Sequence, residues 1–491
     1  MKEQQLVTYF DCESDAGAAL RATCLSVSYI TCDINNNFKI IDNLSGTINS
    51  RFKNSRPFEV DAMLAHNIPI NEITNQKLSN AELVDKWDKI FRKLSDLGTI
   101  FVGFNNMNYD NILLNNSLFI NLKFPYITSK NQWDLLPAIR AASVFTPGAL
   151  NYELNSKGNL SFKLQSMLRA NKITTKKMHD SYEDTLATLN LSKLLKEKAP
   201  EVFKAALALR KKTDVLPKIK EKGLFCWHES FFRTKLFCGT YLGETIFPSW
   251  YYLYDLRKNP EEVLSLDIQG IKKELSKPGK FIRTLKANKS PIIMDKKYCL
   301  MDDDYKQIGI KELQRRYNLL KNHREEFCYK IKIIEEEKYN DKIENQQQEL
   351  QPEEKIYTLN VTGEERSLMN NFNLNEDPKE KKIIFNKFKR DDVKILAEMS
   401  VFDNFHPTEM KDKFCDIFSL RDYKRVKKRV AGFILDTSDR SGPFTKIPEQ
   451  QSRIDTLRVI AEKEEDENRI NQLNELDTYL EKMKNEFEKA S

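Results

Sequence analysis

The chain has 491 residues, enough for about three domains. Its 40% hydrophobic and 10% aromatic content excludes a disordered chain, and no run of about 18 apolar residues predicts a transmembrane helix. The formal net charge of +7 permits a polyanionic partner without requiring one. The N-terminus lacks the apolar core of a signal peptide, and the eight cysteines include no CxxC pair. We therefore expect a cytoplasmic protein with reduced thiols.

The first 199 residues alternate between strand and helix patterns. Apolar runs predict strands over 6–10, 22–31, 38–48 and 99–104. An amphipathic helix is predicted to open at Ser79, and shorter helices are predicted over 109–118, 135–144, 162–169 and 181–195. This order predicts an α/β fold with a mixed sheet covered by helices.

The rest of the chain divides into a β-rich and a helical part. Residues 200–345 alternate Lys-rich turns with aromatic runs, which predicts a small β domain followed by a long helix over 310–338. Residues 346–355 are polar and predict a linker, and residues 356–491 predict a mainly helical domain. The last helix carries an apolar stripe that fits docking on the chain's own core, which we favour, or a coiled-coil dimer. The stripe consists of Leu473, Leu476, Leu480, Met483 and Phe487.

The first chemical motif is Asp11-Cys12-Glu13, at the end of the first predicted strand. Strand alternation places the two carboxylates on one side and Cys12 on the other. Adjacent carboxylates repel unless a cation lies between them, and oxygen ligands suit Mg²⁺ or Mn²⁺. A solvated strand end is the alternative, but this D-x-E follows an apolar run directly and occurs only once in the chain.

Two further motifs supply polar groups at helix starts. Asp110 ends the segment 103–110, which follows a predicted strand; its carboxylate could also serve only to favour the helix dipole. His179 and Asp184 form an H-x4-D motif that no other histidine of the chain repeats. An imidazole on the loop before Asp184 is a natural base near neutral pH, although a single histidine is more often structural. The combination of these motifs carries the argument.

Four carboxylates and one histidine in the order D-x-E, D, H-x4-D resemble the catalytic set of the DEDDh 3′→5′ exonucleases, whose fold is ribonuclease H-like. Local sequences are similar to bacterial exonuclease I, namely 103–110, 133–136, 140–141, 162–164, 170–171 and 179–184. Weaker similarities to the SH3-like and helical C-terminal domains of that family occur at 266–267, 286–291 and 368–372. The resemblance implies an exonuclease domain over 1–199, an SH3-like domain with a long helix over 200–345, and a helical domain over 356–491.

The resemblance also implies a mechanism and site residues. Two divalent ions, Mg²⁺ with Mn²⁺ as a substitute, would be held by Asp11, Glu13, Asp110 and Asp184, and His179 would take a proton from the attacking water. Substrate contacts are expected from a further set: Ser14, His66, Ile68, Asn105, Asn106, Phe162 and Lys163. Lys163 stands where the family pattern has Arg, so a bidentate phosphate contact is lost. Asp134 is expected to cap a helix.

The function implied is 3′→5′ degradation of single-stranded DNA to nucleoside 5′-monophosphates, processively, in DNA repair or recombination. A basic channel between the domains would use cations of 272–289 and 421–429. The implied partners are single-stranded DNA and the acidic tail of single-stranded DNA-binding protein, with no membrane contact and a monomeric state. Two other functions stay open: a DEDDh exoribonuclease, and a single-strand-binding protein without catalysis.

Overall fold

The computed structural model describes residues 4–66, 68–128, 131–175, 180–344, 350–439 and 442–489. It contains two β-sheets surrounded by helices. The strands of the first sheet are β1 (Leu6–Ser14), β2 (Cys24–Asp33), β3 (Lys39–Ile40), β4 (Gly46–Asn49), β5 (Ile100–Gly103) and β6 (Gln132–Asp134). Those of the second sheet are β7 (Leu224–Ser230), β8 (Thr234–Glu244), β9 (Trp250–Asp255), β10 (Ile282–Lys286) and β11 (Met294–Asp295).

Helices surround both sheets and make up most of the C-terminal part. The helices of the first 222 residues are α1 (Val60–His66), α2 (Ile70–Thr74), α3 (Asn80–Asp96), α4 (Asp110–Ile120), α5 (Leu135–Phe145), α6 (Leu164–Ala170), α7 (Ser181–Lys198), α8 (Pro200–Ala208) and α9 (Lys212–Lys222). Around the second sheet lie α10 (Glu261–Leu264), α11 (Ile268–Leu275), α12 (Asp303–Ile308), α13 (Ile310–Asn322) and α14 (Arg324–Glu344). The last seven are α15 (Gly363–Leu374), α16 (Pro378–Asn386), α17 (Asp391–Asn404), α18 (Met410–Ile417), α19 (Leu420–Ile434), α20 (Ile447–Lys463) and α21 (Glu467–Glu488). None of the described helices is long and apolar enough to cross a membrane.

The first sheet is mixed, as predicted. Its order is β3-β2-β1-β5-β6, with β4 paired to β2; β1 runs antiparallel to β2 and parallel to β5, and β5 runs parallel to β6. The carboxyl ends of parallel strands lie at one edge of a sheet. The end of β1, which carries the D-x-E motif, therefore lies beside the loops that follow β5 and β6.

Both faces of this sheet are covered. Val7 and Tyr9 of β1 pack into a core shared with α5 and α7, whereas Phe10 and Cys12 face a second core that contains residues of α3 and α4. Phe91 of α3 anchors that second core and stacks on Phe101 of β5 with 5.1 Å between ring centroids. The alternation of β1 thus fixes which of its side chains remain for chemistry.

Helix α3 begins where the sequence predicts. The Ser79 hydroxyl accepts a hydrogen bond from the Glu82 N–H (3.2 Å), and the Glu82 carboxylate accepts from the Ser79 N–H (2.7 Å). This reciprocal pair is a capping box, which satisfies two N–H groups that an isolated helix end leaves without partners.

Two element predictions were wrong. The single strand predicted over 38–48 is two short strands, β3 and β4, separated by the 3₁₀ turn Asp42–Leu44. The long helix predicted over 310–338 is two helices, α13 and α14, interrupted at His323, where the backbone leaves helical geometry (φ −112°, ψ 11°). Leu320 before the break and Phe327 after it are both buried in one core, so the apolar spacing continues across the interruption.

The second half of the chain has the predicted character. The second sheet is antiparallel throughout, in the order β10-β9-β8-β7-β11. The apolar stripe of α21 is buried in a core with the other C-terminal helices, which confirms docking over the coiled coil. The same core includes Phe52 and Phe58 of the first 199 residues, both of which contact the Tyr479 ring (5.2 and 5.6 Å between centroids).

The domain boundaries stay predictions, because the helical part shares its core with the N-terminal part. Residues 346–349 of the predicted linker lie outside the described residues, and its remainder contains the 3₁₀ turn Pro352–Glu354. The eight cysteines are all described, and each is a free thiol.

Candidate active site

Four carboxylates meet at the edge of the first sheet where β1 ends. Asp11 and Glu13 of β1 and Asp184 in the first turn of α7 each offer an oxygen, and these oxygens lie within 4.8 Å of one another. Asp110, the first residue of α4, adjoins them: the Cys12 N–H, between the two β1 acids, donates to Asp110 Oδ1 (3.2 Å). The structure thus brings together the four acids that the sequence singles out.

Hydroxyl groups on β2 hold the start of α7 in this position. The Ser181 hydroxyl shares hydrogen bonds with Ser26 (2.8 Å) and Ser28 (2.7 Å), both buried. The Asp180 carboxylate caps the helix by accepting from the N–H groups of Tyr182 (3.1 Å) and Glu183 (3.2 Å). Because Ser26 is the register partner of Glu13, these contacts place the first turn of α7 beside the end of β1.

The loop before Asp110 is held from two sides. The Asp134 carboxylate at the end of β6 accepts from the Leu136 N–H (3.0 Å), which is the predicted helix cap. It also accepts from the N–H groups of Asn105 (2.9 Å) and Met107 (3.3 Å), and so holds the loop. From the second sheet's side, Lys289 Nζ donates to the Met107 carbonyl (2.6 Å) and to Asn108 Oδ1 (3.0 Å). The position of Asp110 therefore depends on a residue about 180 positions away in the chain.

Burial raises the pKa values of all four carboxyls, and neighbouring carboxylates raise them further. Burial is the largest cause in each case; it raises the pKa of Glu13 to about 8, that of Asp110 to about 7 and that of Asp184 to about 6. Burial also raises the pKa of Asp11 well above its usual value, and the charges of the other three acids add to this. Among the described residues, no Lys or Arg is a main influence on the pKa of any of the four.

Such a cluster fits a divalent cation. The donor set consists of carboxylate oxygens, which are the ligands that Mg²⁺ and Mn²⁺ prefer, and the repulsion between them is relieved when a cation lies among them. Asp11, Glu13 and Asp184 can ligate one ion together. Asp110, which accepts from the Cys12 N–H, can hold a second ion.

Comparison with known proteins places this geometry in a known fold. No protein-family model matches the chain. Exodeoxyribonuclease I of Buchnera aphidicola subsp. Acyrthosiphon pisum is 33% identical over 131 residues, which are 26% of this chain and 32% of that protein. The chain thus spans about a third of the length of the curated relative it matches.

The structural match extends much further. Exonuclease I from Methylocaldum szegediense has a TM-score of 0.78 at 19% identity, covering 98% of this chain and 100% of that one. E. coli exonuclease I in complex with a dA16 oligonucleotide has a TM-score of 0.75 at 18% identity, with the same coverage. The fold is that of exonuclease I. The fold predicted from the resemblance is therefore confirmed over nearly the whole chain.

Within the exonuclease I fold, two predicted substrate residues are close in the chain to acids of the site: Ser14 follows Glu13, and Asn105 precedes Asp110 by five positions. Ser14 is buried; its hydroxyl shares a hydrogen bond with the Tyr109 hydroxyl (2.5 Å) and donates to the Ala16 carbonyl (3.2 Å). Asn105 is half-buried with φ +67°, and its Oδ1 accepts from Asn108 (2.9 Å). Their contacts with substrate stay predictions.

Asn106 has a structural position instead. Its side chain is fully buried, and its amide nitrogen is placed to donate to the carbonyls of Gly103 (3.2 Å) and Trp133 (3.3 Å). A Cβ at Gly103 would lie 2.6 Å from that of Asn106, so the glycine makes room for it. Asn106 thus ties β5 to β6, and a polar residue in a loop gave no sign of this burial.

The remaining predicted contacts lie at the end of α1 and just before α6. His66 is buried at the end of α1, where its Nδ1 accepts from the Ile68 N–H (3.1 Å), and Ile68 packs against the C-terminal core. Phe162 is half-buried against Tyr152, with Arg140 over its ring at 5.7 Å, whereas Lys163 is exposed at the start of α6. Their substrate roles stay predictions.

The predicted base, His179, lies outside the described residues, as does Asn67 beside His66. Sequence reasoning missed two supports of the site: the serine hydroxyls on β2 and α7, and the Lys289 contact. The serines occupy alternate positions of a strand otherwise rich in apolar residues, which is a detectable signal for a polar contact. The Lys289 contact joins distant segments, and a single sequence carries no signal for it.

Proposed function

We propose that this protein is a single-strand-specific 3′→5′ exodeoxyribonuclease that releases nucleoside 5′-monophosphates processively. The observation that carries the proposal is the cluster of Asp11, Glu13 and Asp184, whose oxygens lie within 4.8 Å of one another in the exonuclease I fold. A solved exonuclease I of that fold holds a dA16 oligonucleotide, which supports DNA as the substrate.

The proposed chemistry assigns a task to each site residue. Asp11, Glu13, Asp110 and Asp184 would hold two Mg²⁺ ions, with Mn²⁺ as the alternative. Bound at such a site, the ions supply charge neutralisation at the attacking and leaving oxygens of the phosphate. His179 would accept the proton of the attacking water, because imidazole titrates near neutral pH. Asp134 would keep the loop before Asp110 in register with β1.

A paired digestion tests the proposal. The protein with Mg²⁺ is given a 5′-labelled single-stranded DNA and the matching RNA, with EDTA as the control. Shortening of the DNA from its 3′ end, abolished by EDTA and weak on RNA, is the expected result. Preferential degradation of RNA would keep the chemistry and replace the substrate, and no degradation of either would favour a binding protein.

A pair of variants ties that activity to the cluster. Asp184→Asn removes one ligand charge and should reduce turnover by about 10³-fold. Asp214→Asn removes an exposed acid on α9 and is the matched control, with turnover near that of the wild type. Equal activity of the two variants would contradict the assignment of the site.

The partner and the cellular setting follow as lesser proposals. One solved exonuclease I structure includes SSB, which supports the acidic tail of single-stranded DNA-binding protein as a second partner. We also propose a cytoplasmic monomer. Co-sedimentation with the tail peptide and the sedimentation coefficient of the free protein test these two proposals.

A further inference from the structure

A cleft of about 520 Å³ lies between the N-terminal part of the chain and the C-terminal helices. One wall carries Phe119 of α4 and residues that follow this helix, and the other wall carries residues of α15. Asp110 begins α4, so Phe119 lies about 13 Å from it along the helix axis. The cleft is therefore separate from the acidic cluster. Its volume falls in the range of about 300–1,000 Å³ that is typical of small-molecule sites.

The floor of the cleft is apolar. Four of its side chains are buried in the core that the N-terminal part shares with the C-terminal helices, namely Phe119, Leu122, Leu359 and Met369. Phe124 of the wall is 44% exposed, so much of its ring surface remains open to a ligand. A flat apolar group fits such a floor, because it can pack on the aliphatic side chains and against the ring.

One face of α15 presents polar side chains to this cleft. Arg366, Ser367 and Asn370 recur at helical spacing, and all three line the wall. Within the described part of the chain, none of these three side chains forms a hydrogen bond or an ion pair; the Arg366 guanidinium only lies over the Phe124 ring (4.8 Å). Donors and acceptors that converge beside an apolar floor indicate a ligand with polar groups of its own.

The uncompensated charge in the cleft is positive. Asp88 is the one acid among the described lining residues, and it is already held by Arg92 (2.9 Å) and Lys123 (3.6 Å). Arg366 has no such carboxylate. A free guanidinium at the rim favours a ligand that carries an anion.

The acids that begin α15 do not neutralise Arg366, because they are bound elsewhere. Glu364 pairs with Lys389 (3.0 Å). The Glu365 carboxylate is buried and accepts from the N–H groups of Lys389 (3.3 Å) and Arg390 (3.2 Å). Both acids thus serve the packing of α15, and the charge of the cleft wall stays positive.

We propose that this cleft binds a nucleoside 5′-monophosphate, with the base on the apolar floor beside Phe124 and the phosphate on Arg366 and Ser367. The inference rests on the proposed function, whose reaction would release this class of compound. A guanidinium offers paired donors that match a phosphate, and a serine hydroxyl adds one more. The Asn370 amide carries a donor and an acceptor, the pattern that pairs with N6 and N7 of adenine, so dAMP should bind more tightly than dTMP.

Calorimetric titration with dAMP tests the proposal. The protein is kept in EDTA, so that no metal ion can hold the nucleotide at the acidic cluster. We expect saturable binding with a dissociation constant below about 1 mM, and weaker binding of dTMP. Inorganic phosphate should compete poorly with dAMP, because it lacks the base that packs on the apolar floor.

Variants of α15 locate the binding. Arg366→Gln removes the unpaired charge and should weaken dAMP binding by about 10-fold or more. Arg366→Lys should keep part of the affinity, since it keeps the charge but loses the paired donors. Asn370→Leu removes the amide and should bring the affinities for dAMP and dTMP to within about twofold of each other.

Lys379→Gln is the matched control. Lys379 is an exposed lysine of α16 that forms no ion pair with any described residue and does not line the cleft, so the variant should bind dAMP as the wild type does. A base with a phosphate could also come from the end of a DNA strand, so a short 5′-phosphorylated oligodeoxyadenosine is the second ligand. Its binding should be no tighter than that of dAMP. None of these titrations needs hydrolysis, so a failed digestion would leave their result unaffected.

Three results would overturn the proposal. The first is the absence of saturable dAMP binding at millimolar concentrations. The second is an equal dAMP affinity of the wild type and Arg366→Gln, which would place the nucleotide elsewhere on the molecule. The third is an oligonucleotide affinity that exceeds that for dAMP and is lost in Arg366→Gln, which would assign the cleft to a DNA strand and not to the free nucleotide.

Discussion

Buried acids occur in two settings in this molecule, and they differ in their partners. In the C-terminal part, Glu353 is 3% exposed and accepts two hydrogen bonds from Arg429 (2.8 and 2.9 Å). Asp403 accepts from the N–H and the hydroxyl of Ser55, both at 2.9 Å. At the candidate site, Asp11, Glu13 and Asp184 offer oxygens within 4.8 Å of one another, and Asp110 accepts from the Cys12 N–H (3.2 Å). Asp11, Glu13 and Asp184 are only half-buried, whereas Glu353 and Asp403 are buried, and among the described residues only Glu353 of these acids forms an ion pair.

The contrast separates acids with a structural partner from the acids that we propose bind metal. A buried charge is tolerated when a cation or several donors compensate it, and the Glu353–Arg429 pair meets that condition. The acidic cluster does not, so the folded chain carries a free-energy cost there that a bound cation would remove. A group of carboxyls with raised pKa values is thus a candidate functional site, whereas an acid paired with a cation is explained by its partner.

The strongest test removes a charge from the cluster. Asp11→Asn keeps the shape of the side chain but loses a ligand charge, so turnover should fall by about 10³-fold or more. Because the substitution also removes repulsion, the metal-free protein should unfold at the same or a higher temperature. Digestion of labelled DNA and a thermal melt measure the two effects. A less stable variant with normal turnover would contradict the proposed difference between the acids of the site and the paired acids.

Removing the charge of a paired acid should lower stability and leave turnover unchanged. Glu353→Gln leaves Arg429 without its anion and should lower the free energy of unfolding by about 3 kcal/mol, with turnover unchanged at permissive temperature. Glu364→Gln is the matched control, because Glu364 forms an exposed pair with Lys389 (3.0 Å) that should contribute less than about 0.5 kcal/mol. Urea titration of both variants provides the measurement. Equal losses of unfolding free energy in the two variants would show that burial does not change what these ion pairs contribute.

Titration distinguishes the two settings without mutation. The pKa values of Glu13 and Asp110, about 8 and about 7, lie above their unfolded values of about 4. The folded chain then binds more protons than the unfolded chain between about pH 4 and pH 8, so these groups make the metal-free protein less stable as pH rises. Metal ligation needs deprotonated carboxylates, so Mg²⁺ should raise the melting temperature by about 3 °C more at pH 8 than at pH 5.5.

Asp11→Asn is the control for that experiment, and it should reduce the Mg²⁺ effect at pH 8. A stabilisation by Mg²⁺ that does not depend on pH would place the ions elsewhere on the molecule.

The sequence predicted what depends on local geometry. Strand alternation is enough to put Asp11 and Glu13 on one side of β1, and the cap at Ser79 is specified within four residues. The break at His323 was missed because the buried spacing is the same on both sides of it. The burial of Asn106 and the reach of Lys289 were missed because each depends on packing between distant segments.

Lys289 gives the smallest and most selective test, since it is a cation close to the cluster that binds the loop before Asp110 and none of the four acids. Lys289→Met removes both loop hydrogen bonds while keeping most of the side chain's volume. If Lys289 positions Asp110, turnover at saturating DNA should fall by about 10-fold and the Mg²⁺ concentration for half-maximal activity should rise. Lys289→Arg should recover part of the turnover, because it can still donate to the Met107 carbonyl. Weaker DNA binding with normal turnover and normal metal dependence at saturating DNA would mean that Lys289 only contacts DNA. The four acids would then keep their geometry without the Lys289 hydrogen bonds.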